Sequence, residues 1–414
     1  MNASAATAES IEAAVLALGP GSLTEAALQA QIAPLFSRVR AAFRDRIYLA
    51  NHSLGRPLDA MDDDIREGSA AWYAQMGGAW AAWEAEITAF RRRLARLLNA
   101  PRSDCVVPKT SAGQGLRTIL NTYDDAPHVV ATRGEFDSLD VILREYARRG
   151  RIALTMVEAR ADGRFDTADI IAAIGNGADL VVISQVIFNT GQRLDLRGIV
   201  SAARQCRAKV LLDVYHALGV LPIDVTELDV DFAVGGSYKY LRGGPGACFL
   251  YLHPRHLDGS LRTLDTGWFA KRDPFIYRRP DPPQLGEGGN AFLESTPPVL
   301  PFYQARAGQL LTLALGAERL RAYSLVQQRR IVVLLAKKGI VAAGGSEDRG
   351  AFVVVEDESA EAWASALQAA GIITDARGRY LRLCPDVLTT DAELVLAADK
   401  LAAAAGDRAA TRCV

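Results

Sequence analysis

From about residue 103 the chain alternates short apolar runs with amphipathic stretches of helical period. The runs Cys105–Pro108, His128–Thr132, Ile152–Val157, Leu180–Gln185, Lys209–Asp213, Phe232–Gly235 and Ala247–Leu252 read as strands. Between them lie amphipathic segments such as Leu139–Arg149 and Leu196–Cys206. Strand and helix in alternation predict a largely parallel sheet covered by helices. The runs VVIS and VLLD are apolar almost throughout, as expected where both faces of a sheet are buried. Beyond residue 270 the pattern breaks, and Asp273–Pro301 carries seven prolines with Gly286, Gly288 and Gly289. That composition predicts a long ordered or active-site loop. A helix-rich stretch over Phe302–Lys338, a strand at Ala351–Val355, a helix near Ala360–Ala370 and a strand at Tyr380–Leu383 follow. Thr390 and Glu393 form a T-x-x-E capping box that opens the last helix. The reading is α/β: a large domain over 51–300 on a mostly parallel seven-stranded sheet, and a smaller α+β domain over 301–414. An N-terminal helical segment, 1–50, is expected to pack with the small domain.

The 414 residues suggest two or three domains at roughly 150 residues each. Lys and Arg number 47 against 48 Asp and Glu, a net charge of −1, so no basic excess exists for a general nucleic-acid binder. Cys105, Cys206, Cys248, Cys384 and Cys413 are scattered and form no cluster of zinc spacing, so no metal site is expected. No apolar run is long enough to span a membrane. The first residues lack a basic leader and carry Glu9 and Glu12, which disfavours a secretory signal. A cytoplasmic enzyme acting on a small molecule is the expectation.

The most informative stretch is KVLLDVYHALG, residues 209–219, followed by Ser237-Tyr238-Lys239-Tyr240. An Asp at the C-terminal end of a parallel strand faces the crevice where α/β folds bind ligands, and a lysine just after the next strand reaches the same crevice. Pyridoxal phosphate needs such a pair: a lysine for the Schiff base and a carboxylate that keeps the ring nitrogen protonated. Taken singly, Asp213 reads as a helix cap and Lys239 as a surface residue in a glycine-rich turn. Together with a phosphate cup they read as a cofactor site. Thr110-Ser111-Ala112-Gly113-Gln114-Gly115, between the first strand and the helix through Leu116–Asn121, supplies that cup with backbone N–H groups and hydroxyls. Trp72, Trp80 and Trp83 lie near one helical face and read as core or dimer-contact residues rather than a substrate cage.

The segment SYKYLRGGPGACFLYL resembles the cofactor-lysine segment of kynureninases, in the class V aminotransferase group of fold-type-I pyridoxal-phosphate enzymes. The resemblance runs from Tyr48 to about Arg382. Asn51-His52-Ser53-Leu54-Gly55 is similar to the family's H/N-S-L-G stretch, Asp213 and His216 to its D-x-x-H-x-x-G, and Tyr238 and Lys239 to its Y-K. Gly267-Trp268-Phe269 resembles its G-W-F, Thr296-Pro297-Pro298 its polar–Pro–Pro turn, and Phe136 its ring-stacking aromatic. The resemblance implies pyridoxal phosphate as a Schiff base on Lys239, with Lys239 and Asp213 catalytic. It implies a cofactor shell of Thr110, Ser111, Phe136, His216, Tyr238, Trp268 and Thr296. It implies Arg382 as the grip on a substrate carboxylate, with Asn51, His52 and Ser53 beside it. It further implies a homodimer with the active site at the subunit interface, and hydrolysis of the Cβ–Cγ bond of kynurenine or a related γ-oxo amino acid. A β-lyase, transaminase or epimerase of the same group is the alternative. Three departures fall near the substrate side chain: Ala270-Lys271 after G-W-F, Asp137-Ser138 after Phe136, and Glu294-Ser295 before Thr296.

Overall fold

Each apolar run becomes a strand because helices close over both faces of the sheet it joins. The computed structural model describes residues 3–412; Cys413 lies outside them. The strands are β1 (Ile47–Tyr48), β2 (Val106–Lys109), β3 (His128–Thr132), β4 (Ala153–Val157), β5 (Leu180–Ser184), β6 (Lys209–Asp213), β7 (Phe232–Gly236), β8 (Cys248–Leu252), β9 (Val353–Glu356), β10 (Ile372–Ile373), β11 (Asp375–Arg377) and β12 (Tyr380–Leu383). Seven form one sheet in the order β2-β8-β7-β6-β5-β3-β4. β3 to β7 pair in parallel, and β8 runs antiparallel to both β7 and β2. Val181 and Ile183 of β5 enter the core on one face, Leu180 and Val182 the core on the other. That double burial explains why these strands show no alternation of polar and apolar positions.

The seven sequence-derived strands of this sheet are each displaced by at most one residue at an end. The first starts at Val106 because Ser103–Cys105 closes a 3-10 turn. The helix behind the cup starts earlier than Leu116, spanning Ala112–Leu120. The stretch after Phe302 is two helices, Leu300–Leu315 and Ala317–Ala336, divided at Gly316 with φ +82°. Residues 273–299 hold no strand and a single 3-10 turn, Gly288–Phe292.

Beyond the sheet, β11-β12-β9 form an antiparallel sheet, and β1 pairs in parallel with β10. Ile47 and Leu49 share a core with Leu335, Val353, Trp363, Leu381 and Leu401. Ile11, Leu28 and Phe36 pack against Leu311, Leu315, Tyr323 and Leu388. The Thr390–Glu393 capping box forms, with Thr390 N–H on Glu393 Oε2 at 2.7 Å and Glu393 N–H on Thr390 Oγ1 at 3.3 Å.

A buried ionic cluster braces the sheet from one side. Arg306 meets Asp64 and Glu67 at 2.9 Å each and Glu86 at 2.6 Å, and Arg93 meets Glu86 at 2.6 Å. Gln309 accepts from Arg93 Nε at 2.8 Å and donates to Ser237 Oγ at 3.1 Å, two residues before Lys239. Charges so enclosed hold one packing arrangement, since removing any partner strands the others. Among the described residues no helix is long and apolar enough to cross a membrane.

Candidate active site

Asp213 ends β6, and its Oδ1 accepts the Tyr215 N–H at 2.7 Å, which turns the carboxylate into the crevice. β7 runs alongside and delivers Lys239 just past its end. Lys239 Nζ lies 2.6 Å from His216 Nε2 and 5.3 Å from the ring centroids of Phe136 and Tyr215. Tyr238 completes the wall, its ring centroid 5.2 Å from that of Tyr215. Only 4% of Lys239 is exposed, and burial pushes its amine well below the ordinary lysine value, partly opposed by Asp213. The same burial raises Asp213 and holds His216 far below the usual imidazole value. The amine is thereby biased toward the neutral, nucleophilic form.

The cup forms at the N-terminus of the helix Ala112–Leu120. Ser111 caps it, Oγ accepting from Gln114 N–H at 3.1 Å. The N–H and hydroxyl of Thr110 both point at Gln114 Oε1, at 2.7 and 3.0 Å, so an amide oxygen occupies the place where two donors converge. Gln114 Nε2 donates to Glu294 at 2.9 Å, and Lys109 Nζ donates to Glu294 at 2.5 Å and to the Phe292 carbonyl at 3.0 Å. Thr110, Gln114, Glu294 and Thr296 line one cavity of about 130 Å³. Trp268 Nε1 donates to Thr296 Oγ1 at 3.0 Å, and these two meet each other at the cup rather than at Lys239. The cup is tied to the lysine wall through Cys248, whose Sγ lies 2.8 Å from Tyr215 Oη and 3.3 Å from the Thr110 carbonyl.

Residues far apart in sequence close the opposite side. His52 stacks toward His216 with ring centroids 6.3 Å apart, and its Nε2 is 2.8 Å from Asp375 Oδ1. Burial lowers His52 to about 4, so it is neutral near pH 7. Asn51 Nδ2 donates to the Cys384 carbonyl at 2.9 Å, and Ser53 N–H closes the turn on Ala50 at 2.8 Å. Arg382 donates to Asp375 and to the Phe188 carbonyl, and the Phe188 ring meets Phe136 edge-on at 5.3 Å. The site therefore gathers Lys239, Asp213, His216, Phe136, Tyr238, His52 and Arg382. Trp80 and Trp83 pack with Trp72 and continue into Trp268 and Phe275, an aromatic cluster outside this centre.

The structure adds Glu135, the neighbour of Phe136 in GEFDS, which the sequence pattern alone does not single out. Its carboxyl is 2% exposed and accepts the hydroxyls of Thr132 and Ser184 at 2.6 Å each. Ser184 is the register partner of Asp213. Burial, with Asp213 nearby, pushes Glu135 up to about 8 from 4.5, against the pull of its two hydroxyl partners. A folded-state pKa above the unfolded one adds stability that is full below the unfolded value and is lost as pH rises through the folded one. Wild-type melting temperature should thus fall between about pH 5 and about pH 8 by more than that of Glu135→Gln, read by calorimetry at both. Identical pH dependence in the two proteins would refute this.

Pyridoxal phosphate fits this arrangement. A buried lysine held below its ordinary pKa, a strand-end carboxylate and an aromatic face stand together, the donors of the helix N-terminus join them through Cys248 and Tyr215, and buried His216 Nδ1 has no hydrogen-bond partner. Comparison with known proteins agrees. A kynureninase from Xanthomonas oryzae pv. oryzae is 31% identical over 68% of this chain and 70% of that protein. A solved structure of a cystine C–S lyase with its product cysteine persulfide superposes with TM-score 0.77 at 20% identity, over 87% of this chain and 98% of that one. An apo cysteine desulfurase from Thermococcus onnurineus gives TM-score 0.76 at 16% identity, over 89% and 97%. These two likenesses establish the fold-type-I architecture. The sequence model of the family Aminotransferase class-V matches residues 56–380. The chain therefore belongs to the class-V aminotransferase family, as a kynureninase-like enzyme that uses pyridoxal phosphate.

Proposed function

We propose that the protein hydrolyses the Cβ–Cγ bond of kynurenine or a related γ-oxo amino acid, giving an aryl acid such as anthranilate and alanine. The observation that carries this reading is the meeting of Lys239, Asp213 and Arg382 in a chain 31% identical to a kynureninase. Thr110, Ser111, Phe136, His216, Tyr238, Trp268 and Thr296 would hold the cofactor with Lys239 and Asp213. Pyridoxal phosphate, when bound, withdraws electron density from the substrate carbons next to the amino group. Lys239 takes the proton from the substrate Cα and returns it, a role suited to an amine held below its ordinary pKa. Asp213 would hold the cofactor as the carboxylate partner of its ring nitrogen, and Phe136 would cover the ring face. Arg382 binds the substrate carboxylate as a charge-assisted pair. Asn51, His52 and Ser53 shape that end of the pocket.

A desulfurase-type reaction needs a reactive thiolate. Burial raises Cys105 and Cys248 to about 11 and Cys384 to about 12, and Cys206 is exposed at the end of the helix Leu196–Gln205. None is poised beside Lys239. A homodimer with the site at the interface belongs to the same reading. Exposed Trp72 and Phe275 belong to the aromatic cluster of Trp80, Trp83 and Trp268 and would supply an apolar face for a second copy. The deciding experiment is incubation of the cofactor-loaded protein with kynurenine, following anthranilate by fluorescence and alanine by mass. No anthranilate from protein with bound cofactor would remove kynurenine and leave the β-lyase, transaminase and epimerase readings, which release of sulfide or keto acid, or racemisation, would separate.

A further inference from the structure

Arg382 does not sit as a bare cation awaiting a ligand. It is 2% exposed, and Asp375 lies directly across the antiparallel β11–β12 pair from it. Asp375 takes one edge of the guanidinium, Nε on Oδ1 at 2.9 Å and Nη2 on Oδ2 at 2.5 Å. Nη1 is fixed on the Phe188 carbonyl at 2.6 Å. Each guanidinium nitrogen thus makes one bond, and each terminal nitrogen keeps a second hydrogen. Asp375 is itself held, since His52 reaches the same Oδ1 at 2.8 Å. Burial would raise this carboxyl, but His52 and Arg382 outweigh that and hold it well below the usual carboxylate range, so the pair stays charged.

We infer that Asp375 is a positioning residue for substrate recognition: it clamps one edge of Arg382 so that the terminal N–H groups left over meet a carboxylate two-point. The inference rests on the reading of Arg382 as the carboxylate grip. Two features support it. A guanidinium this enclosed needs a counter-charge even with no ligand present. A rigid fork also recognises a planar carboxylate only when its rotation is fixed. His52, neutral and wholly buried, then acts through Asp375 and not on the substrate.

The test uses the cofactor-loaded enzyme and two small probes, L-alanine and L-alaninamide, which differ only in the carboxylate. Their apparent affinities are read from the change in the cofactor's visible absorption, without reference to turnover. Wild type should prefer alanine, and Asp375→Asn should lose roughly ten-fold or more of that preference while its cofactor spectrum before probe is added stays that of wild type; its melting temperature should fall, since Arg382 loses a buried counter-charge. Asp375→Glu keeps the ion pair but displaces the guanidinium, so it should show the same loss if the Asn variant fails to fold. Unchanged preference in both variants overturns the inference, as does a wild type without preference. Tighter alanine binding in Asp375→Asn would also overturn it, since Asp375 would then be a competitor of the substrate carboxylate. Kynurenine turnover is scored separately, so loss of the kynurenine reading leaves this outcome legible.

Discussion

Lys239→Ala is expected to abolish covalent attachment of the cofactor and to lower turnover by roughly 10³- to 10⁴-fold, the upper range for a proton-transfer group. The reason lies in what surrounds the amine. Nζ is enclosed by the rings of Phe136, Tyr215 and Tyr238, with His216 Nε2 at 2.6 Å. No other lysine occupies that crevice: Lys109 is spent on Glu294 at the cup, and Lys271 lies on the loop beyond Trp268. The fold should survive, because the lost packing of the stem is offset by relief of a buried amine. Borohydride treatment of the wild type should fix the cofactor on the peptide containing Lys239, and the variant should give no such adduct. An adduct in the variant, or an unchanged visible band, would assign the attachment elsewhere. His216→Ala is the informative companion. It removes the partner of Nζ and leaves the lysine in place, so attachment should persist while the spectrum shifts.

What the chain reveals before folding depends on whether a feature is local. The strands of the main sheet were legible because a strand buried on both faces is apolar at consecutive positions, as in Leu180–Ser184. Asp213, His216 and Lys239 were legible because two strand ends place them within a short span. β1, β10 and β11 were not, since strands of two or three residues have no period to read. Asp375 went unnoticed for that reason. It lies in a polar three-residue strand, and its partners are seven positions away in Arg382 and 323 away in His52. Glu294 stood out as a departure, but its bonds to Lys109 and Gln114 span 185 and 180 positions and arise only when the loop 273–299 folds over the cup. Glu135 is a different failure. A carboxylate in a loop normally faces water, and only the convergence of β3, β5 and β6 turns this one inward between Thr132 and Ser184.

Gly55→Ala should be strongly damaging, at about 3 kcal/mol or more of stability. The turn Asn51–Gly55 lies flat on the lysine loop, and Gly55 N–H donates to the Tyr238 carbonyl at 2.8 Å. A Cβ on Gly55 would come within 2.0 Å of the Lys239 carbonyl oxygen and 3.0 Å of Arg242 Cγ. The first contact is with backbone, so no side-chain rotation relieves it. Nor can the lysine loop retreat easily. Arg242 sits at φ +55°, donates to the Tyr240 carbonyl at 2.7 Å, and faces Asp386, which Arg56 also grips. Relief must come from separating the turn from the loop. That moves His52 and Asn51 away from the pocket and shifts the backbone that carries Lys239. The variant should therefore lose melting temperature and cofactor affinity together, the latter read by titrating pyridoxal phosphate into apoprotein. Gly175→Ala is the control, at the exposed end of the helix Thr167–Gly175, where a Cβ meets nothing within 4 Å. It should be neutral or gain up to about 1 kcal/mol from reduced backbone entropy in the unfolded chain. If Gly55→Ala keeps wild-type cofactor affinity and melts with the control, the turn is not the floor of the lysine site.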